Sequence, residues 1–512
     1  MKTLTEQLIR TATKRSDTEG VFVRPDGTTH IATLGEVHAR ASAAAAALQR
    51  QGVGPSDVVA VQLPATFDGA VAQAAVLLTG ATVLPLAPTT GDRDLGFALR
   101  QSGARLLVAA AALRSGPLEQ ALATAGALPA LETVVVVGQP GPPTSLPWTG
   151  FRATGFVPPA SVTPDDRALL VYTSGTTAEP KGVQHTHRTL AAELAGMPSI
   201  FTSGEAEVHL AVFPPGHVAG FLGLLSFLAL GIPMVCLEGW DAAVAARLIH
   251  ERAVTSSVGT PAHLSAILDV AEREGLRTDS LREYMLGAAT VPPALVERAD
   301  ARGIRAFRTY GSSEHPTISS GRADDPRDKR IGTDGRPTPG TEIRIVDGAG
   351  ADVPVGIDGE ILARGPEQFV GYLDPSLNEG IRYGDWLRTG DVGHLDADGF
   401  LTVTDRLKDI IVRGGENISS REVEEAVARH PDVLDAAAVG WPDERLGERV
   451  AVFVVLRPGG SYDVPAAVTQ FEELGLARHK TPERVVPIDT LPRTPSGKVR
   501  KPDLRSRLQI GN

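Results

Sequence analysis

Short apolar runs alternate with amphipathic stretches of helical length through the first part of the chain. Positions 58–63, 81–84, 106–109 and 133–137 read as strands, with helices between them. Thr33 followed by Glu36 has the spacing of a capping box. It predicts an alanine-rich helix that stops near Gly52. Strands alternating with helices imply a largely parallel sheet covered on both faces. Residues 139–166, rich in proline and glycine, read as a loop. The apolar run Ala168-Leu169-Leu170-Val171 that follows is a buried strand by its pattern.

Residues 221–237 are uncharged, but Gly231-Ile232-Pro233 breaks them into a core helix and a strand rather than a membrane span. Residues 254–260 read as a strand, and Pro261 starts a helix. Turns and strands at 335–340 and 359–365 predict a smaller β subdomain. Beyond the charged stretch Asp405-Arg406-Leu407-Lys408-Asp409, Ser419 and Glu422 predict a second capping box and a helix through His430. Strands at 436–439 and 450–456 and a helix at 464–474 complete a unit of about a hundred residues, an ordinary domain size.

With 512 residues, the chain is long enough for two or more domains. Its 42% hydrophobic and 22% charged residues are those of a globular enzyme. A net charge of −11 gives no support to a nucleic-acid partner. The single cysteine, Cys236, excludes an internal disulfide and lies in an apolar run, so it reads as a buried inert thiol. The ends show neither a hydrophobic signal region nor a peroxisomal Ser-Lys-Leu address, so a cytoplasmic location is expected. His185 and His187 are spaced as a pair but read as loop or helix-start residues rather than metal ligands.

The chemistry concentrates after the strand at 168–171. Residues 172–183 read Tyr-Thr-Ser-Gly-Thr-Thr-Ala-Glu-Pro-Lys-Gly-Val. Small residues let backbone N–H groups approach a phosphate, hydroxyls donate further bonds, and Lys181 adds charge. The spacing differs from the Walker loop, which disfavours an ordinary nucleotide hydrolase. The stretch resembles the phosphate loop of the adenylate-forming (acyl-activating) enzyme superfamily, with Ala178 where glycine is usual.

Further motifs carry the resemblance along nearly the whole chain. Gly287-Ala288-Ala289 resembles the small-residue turn that packs on adenine, more often Gly-Gly-Ala-Pro. Tyr310-Gly311-Ser312-Ser313-Glu314 resembles Tyr-Gly-x-Thr-Glu. The resemblance implies that Thr173, Ser174, Gly175, Thr176, Thr177 and Lys181 hold phosphate and that Tyr310 stacks on the base, with Gly311, Ser312 and Ser313 beside the nucleotide. It implies that Glu314 binds Mg²⁺, Asp391 clamps the ribose and Arg406 contacts ribose or phosphate. Lys408 becomes the hinge, Lys498 the catalytic lysine, and Gly414-Gly415 a backbone wall for coenzyme A. His217 is placed between acyl pocket and nucleotide, with Gly220 in the acyl pocket.

The expected fold is α/β. A large N-terminal adenylation domain (1–405) of mostly parallel sheets and a β subdomain would precede a small mobile α+β domain (406–512). The expected activity is ATP-dependent acid–thiol ligation: a carboxylic acid becomes acyl-AMP, pyrophosphate leaves, and the acyl group passes to CoA. Partners would be a small carboxylic acid, ATP and CoA, with no nucleic acid or integral membrane segment, in a monomer or homodimer. Local wording at 215–222, 408–424 and 443–449 resembles bacterial short-chain acyl-CoA synthetases and cyclohexanecarboxylate–CoA ligases, implying a short- or medium-chain, alicyclic or otherwise compact acid. The alternatives are a stand-alone enzyme loading a carrier protein and a non-catalytic acyl-nucleotide binder. Lys181, Glu314, Asp391, Arg406 and Lys498 together argue against the latter.

Overall fold

A computed structural model of the chain describes residues 2–113, 116–138, 141–173, 180–201, 207–289, 291–414, 416–443, 445–474, 476–493 and 498–510. The predicted sites Ser174, Gly175, Thr176, Thr177 and Gly415, and the unusual Ala178, lie outside the described residues.

The chain divides into two compact units, Met1–Glu342 with Arg364–Arg382, and Ile343–Ala363 with Tyr383–Asn512. In the first unit the predicted strands appear as Val58–Gln62, Thr82–Pro85, Leu106–Ala110 and Thr133–Val137. They lie side by side and parallel in an eight-stranded sheet, which the antiparallel strands Lys181–Thr186 and Gly371–Tyr372 extend beyond Arg167–Thr173. Full burial of both faces explains their near-continuous valine and leucine content.

A second, nine-stranded sheet carries a parallel block. Its strands are Glu19–Val23, Met234–Leu237, His209–Ala211, Ser256–Gly259, Glu283–Leu286 and Arg305–Tyr310, each parallel to the next. The stretch 221–237 is a core element as expected. The helix Val218–Leu225 runs into a π-helical turn at Ser226–Leu230, and left-handed Gly231 then leads to the strand Met234–Leu237. Among the described residues no helix is long and apolar enough to cross a membrane. Cys236 is buried and free, and burial pushes its thiol up to about 12.

The capping box at Thr33 forms in full. Thr33 Oγ1 accepts from the Glu36 N–H at 3.2 Å, and the Glu36 carboxylate accepts from the Thr33 N–H at 2.7 Å. The helix Leu34–Arg50 then packs its alanine face into the core, where small side chains permit close helix approach.

The second unit holds two antiparallel-rich, five-stranded sheets. One is built around Gly359–Arg364, Trp386–Leu395 and Leu401–Arg406, and the other around Val433–Asp443 and Gly447–Leu456. The helices Ser420–Val427 and Val464–Glu473 cover one face of the latter through Val423, Val427 and Phe471. The helix Lys501–Ile510 adds Leu504 and Leu508 to a separate cluster with Val439 and Phe453.

Two expectations change in detail. The second capping box is half formed: Ser419 Oγ accepts from the Glu422 N–H at 3.1 Å, but the Glu422 carboxylate pairs with Lys480 Nζ at 2.7 Å instead. An available lysine is a better partner for a carboxylate than a neutral amide. The helix ends at Val427 rather than His430. Within the second unit, Asp405 accepts from the Ser420 hydroxyl at 2.9 Å and the Arg421 N–H at 3.3 Å.

Removing a reciprocal cap leaves backbone donors unsatisfied at the helix start. Thr33→Ala is expected to cost about 1 kcal/mol, read as a lowered urea midpoint of the first unit with an unchanged slope.

Candidate active site

The site residues of the first unit sit where strands end. Ser256–Gly259, Glu283–Leu286 and Arg305–Tyr310 are neighbouring parallel strands, and each runs at its carboxyl end into glycine or other small residues. In open α/β sheets that edge forms the ligand crevice. At Gly259 a Cβ would lie 2.2 Å from the Tyr284 hydroxyl, and at Gly311 it would lie 2.0 Å from the Pro316 carbonyl oxygen. Backbone therefore excludes a side chain at Gly311, and at Gly259 one would have to displace the buried Tyr284 ring.

The turn after Leu286 is held by the Gly287 N–H donating to the Gly259 carbonyl at 3.1 Å. Ala288 follows with φ of 64°, in the left-handed region. This is the position where the resembled family more often has glycine. An alanine there costs about 1 kcal/mol of backbone strain, a feature that recurs at ligand-binding turns.

The loop carrying Glu314 is tightly bonded. Ser312 Oγ accepts from the N–H groups of Glu314 and His315, and the Ser312 N–H donates to the His315 carbonyl at 2.9 Å. The Glu314 carbonyl accepts from the Phe369 N–H at 2.8 Å, and its carboxylate Oε1 accepts from the Tyr372 hydroxyl at 2.7 Å. Burial, followed by the charge of Glu314, holds the Tyr372 phenol far above its usual range, so it stays a donor.

Tyr372 also lies under Lys181, whose Nζ is 5.2 Å from the ring centroid. Such contacts contribute about 0.5–1 kcal/mol at exposed sites. The strand Gly371–Tyr372 achieves this by pairing with Lys181–Thr186, Val183 opposite Tyr372. Lys181 stands opposite Thr173 in the antiparallel pair Arg167–Thr173 and Lys181–Thr186, so the two flank the phosphate-loop motif in sequence. One tyrosine thus brings together a cation and a carboxylate that stand 133 positions apart in the chain, Lys181 and Glu314.

Sequence reasoning missed Tyr372 and the use made of His185. His185 Nε2 donates to the Ser313 carbonyl at 2.7 Å, which leaves Nδ1 to accept from the Thr189 hydroxyl at 3.1 Å. Burial pushes its imidazole down to about 4, so the ring is a neutral strut. His187 Nδ1 accepts from the Leu4 N–H at 3.2 Å, and burial lowers it likewise to about 4. The signal for Tyr372 lay in a strand pairing of nearly two hundred residues' separation, Val183 with Tyr372, which local periodicity does not report.

His217 stands at the N-cap of Val218–Leu225 with its N–H on the Pro214 carbonyl at 3.1 Å. At Gly220 a Cβ would lie 2.1 Å from the Pro214 carbonyl oxygen. Its smallness therefore serves the turn before the helix rather than open space beside it.

In the second unit Asp391 and Arg406 are register partners on adjacent strands, and Arg406 Nε lies 3.2 Å from the Asp391 carboxylate. Lys408 follows in a turn where the Leu407 N–H donates to the Gly390 carbonyl and the Asp409 N–H to the Arg406 carbonyl. Burial, then the charge of Arg406, lowers the Lys408 ammonium. Gly414 is left-handed, with φ of 61°, at the tip of the hairpin formed by Ile411–Arg413 and Glu416–Ile418. Lys498 is exposed beside the bridge between Arg493 and Val499. Three residues on, Lys501 Nζ is tied to the Glu424 carboxylate at 2.8 Å and the Ser420 hydroxyl at 2.6 Å.

Among the described residues no cluster of three His, Cys, Asp or Glu side chains could hold a metal by itself. A lone half-buried carboxylate such as Glu314 fits the other mode, in which Mg²⁺ takes one or two carboxylates and completes its shell with substrate phosphates and water.

The chain matches the AMP-binding enzyme family over residues 9–373 and the AMP-binding enzyme C-terminal domain over 422–498. It is 34% identical over 459 residues to the medium-chain fatty-acid–CoA ligase of Escherichia coli (strain K12), covering 88% of this chain and 81% of the relative. It is 37% identical over 503 residues to 3-[(3aS,4S,7aS)-7a-methyl-1,5-dioxo-octahydro-1H-inden-4-yl]propanoyl:CoA ligase of Mycobacterium tuberculosis (strain ATCC 25618 / H37Rv), covering 94% and 96%. Among solved structures, ATP-bound MatB from Rhodopseudomonas palustris superposes with a TM-score of 0.87 at 25% identity, covering 99% of both chains. The amide bond synthetase McbA from Marinactinospora thermotolerans superposes at 0.86 with 27% identity, covering 99% and 100%. The chain belongs to the AMP-binding enzyme family, and the adenylate-forming resemblance in its motifs holds.

Tyr372→Phe deletes the hydroxyl that orients Glu314 and leaves the ring under Lys181. A hydrogen bond to a charged group contributes about 1.5–3 kcal/mol. Acid-dependent pyrophosphate–ATP exchange is therefore expected to fall about ten- to hundredfold, with the melting temperature little changed.

Proposed function

We propose that this protein activates a carboxylic acid with ATP and passes the acyl group to CoA. The observation that carries the reading is the Lys181–Tyr372–Glu314 arrangement. A cation and a carboxylate meet there, and Lys181 closes the small, hydroxylated phosphate-loop motif in sequence, as a metal-bound polyphosphate requires.

In the first half-reaction a carboxylate oxygen of the acid bonds to the α-phosphorus, and the bond from that phosphorus to the bridging oxygen breaks. Pyrophosphate leaves with that electron pair. The reacting groups are all anionic, so stabilising developing charge is the main task. Lys181 and the donors of the phosphate loop serve the polyphosphate. Asp391 holds the ribose, Tyr310 and the turn at Gly287-Ala288-Ala289 hold the base, and Lys498 meets the acyl-phosphate oxygens. Mg²⁺ on Glu314 would supply further charge neutralisation when bound. In the second half-reaction the CoA thiol, losing its proton, attacks the acyl carbon; a thioester forms and AMP leaves. One surface cannot present Lys498 for the first step and a pantetheine path past Gly414 for the second. The C-terminal domain, 406–512, therefore turns about Lys408 between them.

For the acid, the local wording around His217 and the two CoA ligases described above point the same way. One relative is named for medium-chain fatty acids and the other for a propanoyl group on a saturated fused ring. A short- or medium-chain or alicyclic acid is the reading these support. Its test is AMP release over a panel of short, medium, branched, alicyclic and aromatic acids, with and without CoA. Turnover only on addition of a carrier protein would replace the CoA reading with the carrier-loading one.

Lys498→Ala is expected to cut pyrophosphate exchange by about 10²-fold or more, the loss typical of one such electrostatic contact. Exchange at the unmutated rate would remove the lysine from the mechanism. Lys408→Pro is expected to spare exchange and damage thioester formation, measured as CoA-dependent AMP release. Equal loss in both assays counts against the hinge.

A further inference from the structure

Behind the Glu314 loop lies a polar cluster shut off from solvent. Glu193, on the helix His187–Gly196, is 1% exposed. Its Oε1 accepts from the Thr317 hydroxyl at 2.7 Å, while Oε2 is buried and, among the described residues, has no hydrogen-bond partner. The Thr317 carbonyl accepts from Thr338 Oγ1 at 2.8 Å, which also lies 3.1 Å from Glu367 Oε1. Glu367, 2% exposed, has Thr341 Oγ1 at 3.2 Å and His315 Nε2 at 3.5 Å from its other oxygen.

Counting charges separates the two carboxyls. Glu367 has the His315 ring and two threonine hydroxyls around it. Glu193 has one hydroxyl, and among the described residues no lysine, arginine or histidine pairs with it. The nearest charge that acts on it is another carboxylate, Glu367. The remaining titratable groups of the cluster are His315, next to Glu314, and His185, which reaches the same helix through Thr189. An ionised carboxylate with one hydrogen bond, no cation and a like charge nearby is strongly disfavoured in a dry interior.

We infer that Glu193 is a positioning residue for the Glu314 loop, that it is held as the neutral acid, and that its ionisation at alkaline pH loosens the loop. Thr317 is the point of action. It is three residues from Glu314 on the same loop, and its side chain and carbonyl are both committed to the cluster. Burial raises the carboxyl to about 8, in line with that geometry. The sign follows from linkage. A folded-state value above the unfolded 4.5 gives stability that is complete below pH 4.5 and is lost as pH rises through about 8. The effect on adenylate formation rests on the role proposed above for Glu314; the protonation state does not.

Three measurements test this. Infrared difference spectra of wild type against Glu193→Gln at neutral pH are expected to show the carbonyl band of a protonated carboxylic acid in the wild type, absent about two pH units above the transition. The melting midpoint of the wild type is expected to fall with rising pH more steeply than that of Glu193→Gln. Pyrophosphate exchange in Glu193→Gln is expected within about twofold of wild type at neutral pH, without the wild type's alkaline decline. Thr317→Val, which keeps Glu193 but severs its link to the loop, is expected to lower exchange at neutral pH and to remove its alkaline decline, while the acid band persists to higher pH because a bond favouring the ionised form is gone. No acid band at neutral pH, or parallel melting and rate profiles in Glu193→Gln, overturns the inference. Absence of exchange from the wild type with every acid would instead overturn the adenylate reading, and the infrared and melting results would still stand.

Discussion

The backbone of the Glu314 loop is tied down from several directions, and that constraint shapes the unit around it. Its backbone donors and acceptors are met by Ser312, Phe369, His185 and Thr338, drawn from four separate stretches of chain. An unsatisfied buried polar group costs about 1–3 kcal/mol, so each of these partners has to be in place together. The result is a loop with little freedom left to lose, the condition under which fixed dipoles and charges act most effectively.

Two different physical devices serve the two units. In the first, parallel strands buried on both faces bring their carboxyl ends to a common edge, and glycines at Gly259 and Gly311 let backbone come within contact distance of backbone or ring. In the second, cross-strand pairing sets Asp391 beside Arg406. The turn that follows presents Lys408 half-buried among charges, where its own ammonium is weakened.

Much of this was legible in the residues. Strand and helix alternation, the Thr33–Glu36 cap, the Pro261 helix start and the break at Gly231 depend on neighbours in sequence, and the structure repeats them closely. The Glu422 carboxylate departed from its expected cap because Lys480, fifty-eight positions away, offers charge. Tyr372 and Glu193 went unread for the same reason. Their meaning lies in partners on other strands, and a tyrosine or a glutamate on a helix has no local mark of such a partner. The smallness of Gly220 was legible but its use was not, since the Pro214 carbonyl that occupies the space is visible only in three dimensions.

Ala288 has a consequence for how the crevice meets a flat ring. Its left-handed backbone is not one that alanine chooses, and it follows a Gly287 whose N–H is bonded to the Gly259 carbonyl and whose missing Cβ leaves room for the Thr309 side chain. A shape set by the fold exists before any guest arrives. The ordering cost of that wall falls on the folding equilibrium, so in the base-binding role proposed above the docking of a planar ring need not include it.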